Sequence, residues 1–242
     1  MNRNAARVVE NLVREGIAAY VHVPGVDLPL PATSNIETAE SVVVACSGYP
    51  EHAGVWSYTL LDKSAGDPVW LDKTTMEPYF RDLHDTDTAL IVLNPHAQEL
   101  KQIPDASIGI YLSQLQHLFD HLASARGDGM RSVLLGFSLG GEVVLRFLHS
   151  HPYHIRFARG LVLIDPVPPS IRRPVMSPEL SALVDQASFY GFGDLEGNPG
   201  ELVEYTKKIL QITPELVSCR YHGEMPNLVW PRIRQRLPAL LR

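Results

Sequence analysis

Three residue types in this chain could together activate a nucleophile: a serine set among glycines, a histidine late in the chain, and aspartates that end apolar runs. Ser138 lies in Gly136-Phe137-Ser138-Leu139-Gly140, with Gly141 following. A serine hydroxyl attacks a carbonyl only if an imidazole takes its proton, and that imidazole needs a carboxylate to hold its tautomer and stabilise its positive form. His222 stands just past the apolar run Leu216 to Tyr221, with one helical pattern left behind it. Asp165 closes the run from Gly160 to Ile164, and Asp194 closes the run from Ser188 to Gly193. Both aspartates remain candidates for the acid.

The elements around Ser138 explain why this serine, among the others, can react. Ser132-Val133-Leu134-Leu135 reads as a buried strand, and Glu142, Val143, Val144, Phe147 and Leu148 follow with helical spacing, so strand meets helix with no loop between. Such a turn lifts one side chain clear of the sheet. The helix N-terminus beneath it offers unpaired N–H groups to developing negative charge. Where strand and helix nearly collide only glycine fits, and Gly136, Gly140 and Gly141 supply it.

This stretch resembles the nucleophile elbow of the α/β-hydrolase superfamily. The resemblance implies a chain order of serine, acid, histidine, which makes His222 the general base. It favours Asp194, after the seventh strand, as the acid, and leaves Asp165, after the sixth, as the alternative. It implies an oxyanion hole built from the N–H groups of Leu139 and Tyr49, the latter in Ser47-Gly48-Tyr49-Pro50. Serine at position 47 departs from the histidine usual there. Gly48, Trp56 and Phe137 would border the substrate. The implied function is that of a serine hydrolase cleaving a small ester or thioester without a cofactor. A hydrolase-fold binding protein lacking turnover, and a lyase-type branch, are the alternatives.

Composition narrows the partners. A net charge of −6 with no dense basic cluster disfavours nucleic acid and anionic membranes and favours a small acyl substrate. The ten histidines are scattered, with His117 and His121 the one pair at i, i+4, so no metal site is expected. No apolar run is long enough to span a membrane, and MNRNAARVVENLVREG is amphipathic without a signal-peptide core, so a cytoplasmic protein is expected. Cys46 and Cys219 fall in apolar runs and should be free thiols.

Strand and helix patterns alternate along the whole chain, which predicts one α/β domain over 1–242: a doubly wound, mostly parallel sheet of about eight strands with helices on both faces. A helix over about 3–15 leads in. Strands over Ile17 to Val23 and near Thr33 to Glu37 should form an antiparallel edge, followed by strands at Ser41 to Cys46 and Ala89 to Leu93. A long helix opens at Pro104. The proline-rich segment of about 166–187 should form a short cap with no room for a multi-helix lid. A helix from Pro231 to Leu241 should close the chain, and His149, His151 and His154 are expected on the surface beyond the elbow helix.

Overall fold

Aliphatic runs without polar alternation must be covered on both faces, and in this chain they form the middle of one sheet. The computed structural model describes residues 3–48, 54–56, 73–93 and 104–242. Its strands are β1 (Ala18–Val21), β2 (Leu30–Thr33), β3 (Ser41–Cys46), β4 (Thr88–Val92), β5 (Arg131–Phe137), β6 (Ala158–Ile164), β7 (Ser188–Gly193) and β8 (Glu215–Ser218). They lie in the order β1-β2-β4-β3-β5-β6-β7-β8. The pairs β1–β2 and β2–β4 are antiparallel, and every later pair is parallel.

Successive side chains of β3 go to opposite layers. Val42, Val44 and Cys46 join the core beneath α3 (Pro104–Arg126), α4 (Leu139–Ser150), α5 (Pro178–Asp185) and α6 (Glu201–Leu210). Val43 and Ala45 join the core beneath α1 (Arg3–Arg14), α2 (Glu77–Leu83) and α7 (Met225–Leu240). Cys46 and Cys219 are both buried free thiols, and burial raises the pKa of each, that of Cys219 to about 11.

Three expectations shift. The second strand is Leu30–Thr33, not Thr33 to Glu37. Burial of Leu30 and Ala32 decides this in spite of Pro31, which contributes no backbone donor. The last helix begins at Met225, because Pro226 sits in a first turn that needs no N–H, and Met225, Val229, Trp230 and Ile233 all pack inward.

His154 is buried rather than on the surface. Its ring packs among Phe119, Phe147 and Phe157 with Nε2 3.3 Å from Asp120, while Nδ1 has no hydrogen-bond partner among the described residues. Burial holds its pKa below the ordinary histidine value. The unfolded chain therefore takes up this proton first as the pH falls. The stability contributed by neutral His154 should be complete above about pH 6.5 and decline from there toward its lower folded pKa. Urea midpoints between pH 8 and pH 5 should fall for the native chain, and a His154→Phe variant, which keeps the aromatic packing, should show a shallower decline.

Candidate active site

Ser138 joins β5 to α4 with φ 54° and ψ −121°, a left-handed conformation that a residue with a side chain adopts only under constraint. The constraint comes from three hydrogen bonds. Its N–H donates to the Ile164 carbonyl at 3.0 Å, and its own carbonyl accepts from Gly141 N and Val167 N, each at 3.1 Å. Sterics close the turn further. A Cβ on Gly140 would lie 1.9 Å from the Cys46 carbonyl oxygen, and one on Gly136 would lie 2.6 Å from Gly141 Cα.

Gly48 faces the nucleophile. A Cβ there would stand 3.1 Å from Ser138 Cβ and 3.3 Å from Oγ, so a larger residue would crowd the hydroxyl. On the other side, α4 begins at Leu139, and its first N–H groups lack intrahelical partners. Tyr49 lies outside the described residues.

The carboxylate that meets His222 is Asp165. His222 Nδ1 donates to Asp165 Oδ2 at 2.6 Å, and Asp165 Oδ1 accepts from Phe192 N at 3.2 Å. Asp165 itself has φ 39°, and its N–H donates to the Tyr190 carbonyl at 2.7 Å. The serine and this aspartate thus occupy corresponding strained turns at the ends of the adjacent strands β5 and β6.

Pairing His222 with Asp194 is therefore corrected. Asp194 is exposed and spends its oxygens on its own loop: Oδ1 accepts from Glu196 N and Asn198 N at 2.9 and 2.8 Å, and Oδ2 accepts from Asn198 Nδ2 at 3.0 Å. These bonds, those of Asn198 foremost, hold its pKa below the ordinary aspartate value. The signal was readable: Asp194-Leu195-Glu196-Gly197-Asn198 has the composition of an Asx turn.

His222 is partly exposed, and its ring stacks on that of Phe137, with centroids 4.5 Å apart and planes 26° from parallel. With Nδ1 donating to Asp165, Nε2 carries the free lone pair. Among the described residues, the Ser138 hydroxyl and Nε2 are not in hydrogen-bond contact. Contacts of this kind often close only when substrate binds. Phe137 and Trp56, expected to border the substrate, are buried instead, at 2% and 1% exposure. Each ring is engaged by other aromatic rings.

One buried carboxylate near the site escaped sequence reasoning. Glu142, in the first turn of α4, accepts from Ser170 N at 3.0 Å, Ser170 Oγ at 2.6 Å and Arg146 Nε at 2.5 Å. It fastens the segment after β6 to the helix that starts at the nucleophile. Its i, i+4 spacing to Arg146 was visible, but its long-range partner was not. Among the described residues, no three His, Cys, Asp or Glu side chains gather as metal ligands would.

No family model matches this chain, and no curated protein does. Solved structures do match. A histone deacetylase from Saccharomyces cerevisiae superposes with a TM-score of 0.65 at 12% identity, over 99% of this chain and 96% of that one. A carboxylesterase from Bacillus subtilis superposes with a TM-score of 0.53 at 14% identity, over 98% of each chain. A serine hydrolase without lid from Xanthomonas campestris gives 0.52 at 16% identity, over 93% of this chain and 94% of that one. At such identities the likeness is one of architecture: this chain has the α/β-hydrolase fold.

Proposed function

We propose that the protein is a serine hydrolase that cleaves a small ester or thioester through Ser138, His222 and Asp165. The observation that carries this reading is the 2.6 Å bond from His222 Nδ1 to Asp165, made beside a serine held at φ 54°. That bond fixes the tautomer in which Nε2 can accept a proton.

In the proposed reaction Ser138 Oγ attacks the substrate carbonyl while its proton passes to His222 Nε2. Asp165 stabilises the imidazolium that results. The oxyanion is held by the N–H of Leu139 at the start of α4, and the superfamily resemblance assigns the second donor to Tyr49. His222 then returns its proton to the departing alcohol or thiol. Water repeats the sequence on the acyl-enzyme and restores the serine.

The substrate should be small because, among the described residues, little covers the site. Between Asp165 and Ser188 the chain holds one two-turn helix, α5, and the segment before it is fastened down through Glu142. A lid stabilises a long acyl chain by removing its methylenes from water, at about 0.8 kcal/mol for each. Without that cover the increment should end within a few carbons.

Three measurements check the reading. Asp165→Asn should lower kcat on the order of 10⁴-fold through the wrong imidazole tautomer. Asp194→Asn should stay within a few-fold, and Ser138→Ala should lose covalent labelling by a fluorophosphonate. Labelling that survives in Ser138→Ala would exclude that serine, and a larger loss in Asp194→Asn would return the acid to position 194. Across p-nitrophenyl esters, kcat/KM should rise over the first few carbons and then level off. Gains continuing to long chains would show a covering segment.

A further inference from the structure

One hydrogen bond does not fix an imidazole. With Nδ1 tied to Asp165 the His222 ring can still turn about that bond, and the side chain is 41% exposed. What bears on its buried face is Phe137. That ring does not end the support, because Trp56 meets it edge-on at 6.0 Å and 85°. Tyr79 packs against Trp56 at 5.0 Å, and Trp230 stacks on Tyr79 at 3.8 Å and 27°.

The far end of this column is anchored by polar bonds. Tyr79 OH donates to the Pro226 carbonyl at 2.6 Å, and Trp230 Nε1 donates to Asp82 at 2.8 Å. Pro226 and Trp230 belong to α7, which begins three residues after His222. The column therefore holds the imidazole through its face and the chain that carries it through α7.

We infer that Phe137 is a positioning residue for the general base, setting the plane of the His222 ring and stabilising the imidazolium as it forms, with Trp56, Tyr79 and Trp230 as its backing. The inference rests on the hydrolase reading. The face of an aromatic ring carries negative charge, so a stacked imidazole is held more strongly once it is positive. The contact therefore tightens as His222 takes the serine proton, which lowers the barrier rather than strengthening substrate binding. A substrate-contacting role would act on KM instead.

Phe137→Met is the informative change, since methionine keeps the apolar volume and removes the ring face. With p-nitrophenyl butyrate, kcat should fall roughly two- to tenfold while KM stays within about twofold, as expected for loss of one stacked pair. Phe137→Tyr, which keeps the ring, should restore kcat. By NMR, the His222 Hε1 proton should lie upfield in the native protein and move downfield in Phe137→Met. An unchanged Hε1 position or a loss confined to KM would overturn the inference. Absence of fluorophosphonate labelling in the native protein would overturn the hydrolase reading instead, and the NMR comparison would still report whether the rings stack.

Discussion

The close approach of α4 to the end of β3 is the constraint on which the site depends. With Gly140 pressed against the Cys46 carbonyl, the chain leaving β5 must reverse direction within one residue, and that residue is Ser138. A φ of 54° in a residue with a side chain costs on the order of 1–3 kcal/mol. The structure sustains it because neighbouring strand ends over-determine the turn: Ile164 of β6 accepts the serine N–H, and Gly141 and Val167 both donate to its carbonyl. The strain is thus the local expression of how tightly three parallel strands and one helix meet.

The same arrangement locates the carboxylate. Because β6 lies directly beside β5, a residue just past its end faces the elbow, and Asp165 turns there with φ 39°. One of its oxygens is held by the backbone of β7 and the other by His222, so its orientation is set before the imidazole arrives. Asp194, one strand farther out, finds its donors within its own turn. A carboxylate already satisfied by three local donors gains little from reaching for a histidine.

Buried polar and aromatic contacts carry the site's order outward. Glu142 couples the cap segment to the helix beneath the nucleophile, and a carboxylate so deeply buried is tolerable only because Ser170 and Arg146 satisfy it. On the opposite side of the sheet, the rings from Phe137 to Trp230 link the end of β5 to α7. Each layer of helices thereby fixes one wall around the same serine.

Local order in the chain determined the elbow, since apolar run, glycine-flanked serine and helical period are adjacent in sequence and interact over a few residues. It also determined the layered α/β architecture, because alternating strand and helix patterns with buried parallel strands admit few topologies. His222 was legible by its place after the last strand pattern. Which aspartate meets it was only partly legible: the turn composition after Asp194 spoke against it, but both aspartates follow strands, and which strand lies beside the elbow is a property of sheet order. The fates of Phe137 and Trp56 were hidden for the same reason. An aromatic residue near a nucleophile reads equally as pocket wall or as core, and only the packing of α2 and α7 against the sheet decided for the core. His154 shows that limit in the opposite sense, a polar residue drawn inside by aromatic neighbours that the sequence scatters across two helices and a turn.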